Sequence, residues 1–192
     1  VEVGDGLDIS LLGLARLANQ LGRHAVAESH ARALVSADAR DSEAWSALGV
    51  ALDGLGRTAE ARSALEHAVQ LAPGYGAARY NLAATLCKDE RAAEALVQVE
   101  AAERLGVAHP RLVLTRARAL MLLDRYDEAE AALATLVVGR PDDLDAQFLL
   151  AQLRHVRGDL DFAAALRKAA SQPGAAPAVA MMHADVLRRA GR

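Results

Sequence analysis

Aromatic residues are scarce. They make up 3% of the chain, too few for the ring platforms on which single-stranded nucleic acid stacks. Charge of one sign is missing too. The 22 basic and 25 acidic residues leave a formal −3, with no clustered positive face to meet a phosphate backbone. A nucleic-acid partner is not expected. The single cysteine, Cys87, excludes an internal disulfide and fits a reducing, cytoplasmic compartment. No apolar run reaches the roughly 18 residues of a membrane span. The acidic start, Val1 to Asp8, has no basic-then-apolar signal pattern and no Met, which points to a processed or excised chain. Period-two alternation is absent, so no strand is expected.

Catalytic signatures are also lacking. There is no G-x-x-x-x-G-K phosphate loop, no G-x-G-x-x-G after a strand, no H-E-x-x-H and no G-x-S-x-G. The six histidines (His24, His30, His67, His109, His155 and His183) never pair at i+3 or i+4, so no two-histidine metal face exists on a helix. Cys87 has no second cysteine and reads as a small packing residue. No catalytic activity, cofactor or metal is expected.

What is abundant is helix-forming apolar sequence. The apolar fraction is 53%, much of it Ala, Leu and Val, and Ala and Leu lead the helix propensities. Basic residues are nearly all Arg, with only Lys88 and Lys168 as lysines, a bias of GC-rich bacterial genomes. The pattern is clearest from Ser42 to Tyr75. Trp45, Leu48, Gly49 and Leu52 mark one face of a first helix, and Gly56 breaks it. Ala61, Leu65 and Ala68 mark a second helix, and Pro73 stops that. The same unit recurs every 34 residues. Ala15, Gly49, Ala83, Ala117 and Ala151 hold one place in successive first helices. Ala27, Ala61, Ala95, Ala129 and Ala163 hold one place in successive second helices. Side chains this small let helix backbones approach closely.

These residues and spacings resemble the tetratricopeptide repeat (TPR) family. The resemblance implies an all-α, right-handed solenoid of antiparallel helix pairs, about 11 helices in all. Residues 1–7 form a tail. Five repeats follow at 8–41, 42–75, 76–109, 110–143 and 144–176. Residues 177–192 read as the first helix of a sixth, incomplete repeat or a cap. Some positions depart from the pattern. Arg79 stands where Trp45 stood, Glu90 where a turn glycine is common, and Arg116 where a leucine is expected. In the last helix Val179, Met182, Val186 and Leu187 would be partly uncovered. That points to a chain continuing past residue 192, to a homodimer through this helix, or to simple packing on the fifth repeat.

In this family the free face of the first helices lines a concave groove that holds peptides or helices of partner proteins. The corresponding residues here include Leu12, Arg16, Asn19, Tyr80, Asn81, Arg111, Arg118, Met121, Phe148, Gln152 and His155. Aromatic residues and arginines are the usual anchors of interfaces. A carboxylate clamp for chaperone tails is not matched. Its register places hold Ser46, Val50, Asn81, Arg111 and Thr115, of which only Asn81 and, by charge, Arg111 fit. The expected function is therefore a non-catalytic protein-interaction scaffold. A second expectation is weaker. The runs Leu150–Phe162 and Ala184–Arg192 resemble the TPR region of bacterial proteins that carry a C-terminal Fe(II)/2-oxoglutarate oxygenase or sulfotransferase domain. The chain would then be the recruiting or dimerising arm of such an enzyme.

Overall fold

The computed structural model describes residues 5–157 and 171, with backbone alone for 5–10 and 155. Among the described residues the ordered elements are all α-helices, in the order α1 (Asp5–Gln20), α2 (His24–Ala37), α3 (Ser42–Gly54), α4 (Thr58–Leu71), α5 (Gly76–Lys88), α6 (Ala92–Arg104), α7 (Pro110–Leu122), α8 (Tyr126–Gly139) and α9 (Leu144–Val156). The second helix expected in the repeat at 144–176, with Gly158, Ala163 and Ala170, lies outside the described residues. So does the whole of 177–192, with Val179, Met182, Val186 and Leu187.

Two compact units divide the chain, residues 1–108 and 109–192. In the first, each helix packs on the next, and α1 also meets α3 as α3 meets α5. In the second, α7 packs on α8, α8 on α9 and α7 on α9. This is the helix-pair stacking of an all-α repeat protein, in which each pair buries its apolar stripe only against its neighbours.

Helix starts are set by local acceptors. Asp41 Oδ1 accepts from the backbone N–H of Glu43 (2.8 Å) and Ala44 (3.0 Å) ahead of α3, satisfying two donors that the first turn leaves over. Asp143 does the same for Ala146 at α9. At α7 the His109 ring accepts from Arg111 N–H and Pro110 takes the first helical position, where its missing N–H costs nothing.

Helix ends are set by the backbone. Gly22, Gly56, Glu90 and Asp124 occupy the same repeat position, and all four have positive φ: 71°, 76°, 57° and 57°. After α1, Gly22 N–H donates to Asn19 C=O and Arg23 N–H to Ala18 C=O. This pair of bonds is the Schellman closure of a helix end. It repeats at Gly56/Arg57, Glu90/Arg91 and Asp124/Arg125. The turn geometry therefore holds where glycine is absent, as the register at Glu90 expects.

The core is built from small side chains. Ala15, Ala83, Ala117 and Ala151 on first helices, and Ala27, Ala61, Ala95 and Ala129 on second helices, are fully buried. Gly49 is needed at its crossing. A Cβ there would lie 2.5 Å from Leu65 Cγ and 3.2 Å from the Ala61 carbonyl oxygen.

The odd residue at the head of the third repeat also finds a reason. Arg79 Nε donates to Pro73 C=O, as Trp45 Nε1 donates to Ala39 C=O and Gln147 Nε2 to Pro141 C=O. Three different side chains satisfy the carbonyl six residues back. Leu14 holds on α1 the repeat position of Leu48 and Leu82, yet it is exposed. Its counterparts Leu48 and Leu82 are buried. Leu48 packs in one cluster with Ala31 of α2, whereas no described helix covers Leu14.

Candidate functional site

In the first unit the candidate face runs across α1, α3 and α5. Leu12 is half-buried and packs against the cluster of Ala15, Ala47 and Leu48. Arg16 is exposed, pairs with Glu43 at 2.9 Å and donates to the Tyr75 hydroxyl at 3.3 Å. Asn19 turns inward: its Nδ2 donates to Ala47 C=O at 3.0 Å, tying α1 to α3, and its Oδ1 lies 3.5 Å from His24 Nδ1. Tyr80 and Asn81 are half-buried on α5. Successive first helices are also joined by Lys88 Nζ to Asp53 Oδ2 at 2.6 Å, and Asp53 Oδ1 is buried without a hydrogen-bond partner. This face is thus partly committed to holding the unit together. Arg16 and Asn19 already have intramolecular partners, which a ligand would have to displace.

In the second unit the candidate face runs across α7 and α9. Arg111 and Arg118 are exposed on α7. They stand seven residues apart, which is two helical turns and one side of the helix. Neither makes an ion pair among the described residues. Met121 is half-buried on α7, and Phe148 and Gln152 are half-buried on α9. His155 lies on α9, and its side chain falls outside the described residues. Leu114, between the two arginines, is buried. The combination is a pair of unneutralised guanidiniums on the same unit as partly accessible Phe148 and Met121.

A feature of the other side was not singled out from the sequence. An open pocket of about 440 Å³ lies between α2, α3 and α4, lined in part by Arg32, Trp45, Leu48, Leu52, Glu60 and His67. Trp45 and His67 meet edge to face with ring centroids 4.5 Å apart. Trp45 reads from its spacing as a packing residue, yet it is only half-buried and lines this pocket. Around this pocket runs a charge chain. Glu28 accepts from Arg32 and from Arg57, and Arg57 also grips Glu60. The Arg32 hydrogen bond, with Arg57 adding to it against the opposing pull of burial, holds the Glu28 carboxyl below its usual range. The Arg57 hydrogen bond does the same for Glu60.

Among the described residues no three His, Cys, Asp or Glu side chains are placed to hold a metal ion. No helix among them is long and apolar enough to cross a membrane.

Comparison with known proteins matches this geometry to one kind of repeat. Residues 42–75 match one tetratricopeptide repeat model and residues 114–178 match another, together just over half of the chain. Among solved structures, a thermophilic TPR protein of Thermus thermophilus superposes with a TM-score of 0.76 at 25% identity, covering 94% of this chain and 98% of that one. MamA (residue 41 to the end) of Desulfovibrio magneticus RS-1 gives 0.72 at 20% identity, over 88% and 95%. YrrB, a TPR protein with an unusual peptide-binding site, gives 0.68 at 20% identity, over 91% and 90%. No curated protein matches the sequence significantly.

Proposed function

We infer, because the chain belongs to the tetratricopeptide repeat family, that it works by holding a partner polypeptide rather than by chemistry. The proposed role is a non-catalytic scaffold whose first-helix faces receive an extended peptide or a helix of another protein. One observation carries this reading furthest. Arg111 and Arg118 are exposed on one side of α7 without ion pairs among the described residues, in the unit that also half-exposes Phe148, Met121 and Gln152. Exposed arginine beside apolar side chains fits a segment that offers a carboxylate next to an apolar group. In the first unit Leu12, Arg16, Asn19, Tyr80 and Asn81 would add contacts, with Arg16 exchanging Glu43 for a ligand carboxylate. His155 belongs to the same proposal. YrrB, which shares the fold, is described as peptide-binding, and this supports the class of ligand without fixing its sequence. A cytoplasmic location fits the single thiol of Cys87.

The test is a random-peptide display selection on the full chain, followed by calorimetry on the enriched peptides. Acidic peptides that bind the parent chain and lose affinity with Arg118→Glu are expected. Binders unaffected by Arg118→Glu, Arg111→Glu and Tyr80→Ala would sink this reading.

A second reading, the recruiting arm of a larger bacterial oxygenase or sulfotransferase, rests on the run Leu150–Phe162. Reading the gene downstream of the codon for Arg192 decides it: a following His-x-Asp motif favours the oxygenase version, and a stop codon removes both.

A further inference from the structure

The pocket between α2, α3 and α4 owes its existence to two differences between the second repeat and the third. Trp45 and Ala64 stand in the second repeat where Arg79 and Gln98 stand in the third. In the third repeat those two side chains bond to each other, Arg79 Nη1 to Gln98 Oε1 at 2.9 Å, and so bridge α5 and α6. Ala64 is too short to reach across from α4. What remains in the second repeat is an open space of about 440 Å³.

The base of this space is apolar. Leu48, Leu52 and Ala64 line it and are buried, and Trp45 packs against the same cluster. The polar groups that line it differ in what they still have to offer. Glu60 is already paired: Arg57 donates from Nε to Oε1 at 2.8 Å and from Nη2 to Oε2 at 2.6 Å. Arg32 is only half engaged. Its Nε and Nη2 both go to Glu28 Oε1, an oxygen that Arg57 also takes, and its Nη1 has no hydrogen bond among the described residues. His67 meets the Trp45 ring edge to face, and neither of its nitrogens has a hydrogen bond among the described residues. The unpaired groups are thus basic. They are also particular to this repeat, since one repeat later Glu66 stands for Arg32 and Ala101 for His67.

We propose that this pocket is a binding site for a small, free carboxylic acid with an aromatic body. The body lies on Leu48, Leu52 and Ala64 beside Trp45, which removes apolar surface from water. The carboxylate accepts from Arg32 Nη1 and from the His67 ring. The volume falls within the range of small-ligand sites and suits one ring on a short arm. A cation fits worse, because the Glu60 carboxylate is already held by Arg57. The site is separate from the first-helix faces and does not depend on the scaffold reading.

Trp45 is the single tryptophan of the chain, so indole emission reports on this pocket alone. The probe is phenylpropanoate, whose ring is transparent where indole is excited. Titration of the full chain is expected to give a saturable change in emission. The matched alcohol and the matched amine should bind at least about threefold more weakly, the modest worth of a charge-assisted bond at a partly exposed arginine. Arg32→Gln should bring the acid down to the level of the alcohol. Arg32 is exposed, so that variant should keep parental helicity by circular dichroism. Ala64→Gln puts into the second repeat the side chain that Gln98 supplies in the third, and should abolish binding of acid and alcohol alike. If Ala64→Gln melts early, the surface variant Arg32→Gln still decides. Tyr80→Ala and Arg118→Glu, which test the first-helix faces, should leave the titration unchanged. No saturation at millimolar probe overturns the inference. So does an acid that binds no tighter than its alcohol and amine, or a titration that Arg32→Gln leaves unchanged. A peptide ending in phenylalanine that binds at least about tenfold tighter than the free acid would assign the pocket to a polypeptide end, and would overturn the free ligand.

Discussion

The guanidinium of Arg79 donates from Nε to the carbonyl oxygen of Pro73 at 2.8 Å, the bond that Trp45 makes to Ala39 at 2.9 Å one repeat earlier. A flat indole and a flexible cation thus hold the same backbone carbonyl in the same register. Arg79 adds a bond from Nη1 to Gln98 Oε1 at 2.9 Å, joining α5 to α6. Arg79→Leu should cost about 1 kcal/mol by urea denaturation, the ordinary net worth of such a bond. Arg79→Gln should retain most of the stability, since Gln147 makes the equivalent bond to Pro141. Equal losses for the two variants would show that the carbonyl does not need a donor.

The crossing of α3 and α4 sets a stricter limit. Gly49→Ala gains up to about 1 kcal/mol of helix propensity. The new methyl would meet Leu65, which is fully buried and has no room to give, and would press on the Ala61 carbonyl. Overpacking costs typically about 1–3 kcal/mol, so the clash should win and the variant should unfold at lower urea. Ala61→Leu, with no propensity gain and a side chain larger by an isopropyl group, should be worse. An unchanged midpoint for both would contradict the packing.

Glu90 invites a change in the other direction. Its φ of 57° lies in the left-handed region, which costs an L residue roughly 1–2 kcal/mol. Glycine adopts it freely but loses about 0.5–1 kcal/mol of chain entropy. Glu90 is exposed. Glu90→Gly should therefore stabilise the chain by up to about 1.5 kcal/mol, the difference between those two effects. A loss of stability in calorimetry would mean that the Glu90 side chain makes a contact worth more than the strain.

Acid should act through three carboxyls. Glu28 is held below its ordinary value of 4.5 by Arg32, Glu60 by Arg57 and Glu128 by Arg125. A carboxyl with a lowered folded-state pKa contributes in full above about 4.5 and loses that contribution as pH falls through the lower, folded value. The urea midpoint should accordingly be flat from about pH 7 to 5 and decline below about 4.5. Glu28→Gln should lower the midpoint at neutral pH and shrink the decline. A parallel shift at all pH values would separate Glu28 from the acid response.

Much of the fold is legible in the sequence because its signal is periodic. The alanine and glycine positions of successive helices announce close crossings, and all those among the described residues are buried. Turn position also follows from register, which is why Glu90 and Asp124 close their helices with the backbone bonds that Gly22 and Gly56 use. Identity at the head of each repeat is less legible: Arg79 reads as a departure until its hydrogen bond is known. The candidate face is least legible. Helical spacing places Asn19 on it, yet spacing cannot say that its amide reaches across to Ala47. Nor can it say that Arg16 is drawn to Glu43 while Arg111 and Arg118 make no ion pair among the described residues. Those outcomes depend on which side chain a neighbouring helix presents, and one helix's pattern carries no record of that. Leu14 fails for the same reason, since its burial depends on a neighbour and not on its own periodicity.

The links between successive helix pairs in the first unit are of two physical kinds. Glu28 to Arg57, Asp53 to Lys88 and Arg62 to Asp89 are partly exposed ion pairs, and Ala51 against Ala18 and Ala27, with Leu48 beside Ala31, are contacts free of charge. Added salt weakens the first kind, because the pairs are partly exposed, though contact distances well inside the Debye length of about 8 Å keep that weakening partial; the second kind carries no charge to screen. The unit is thus a spring with two elements in parallel, one stiff and salt-blind, the other soft and ionic. Raising ionic strength weakens only the ionic element, so the apolar contacts carry a growing share of what holds one helix pair to the next.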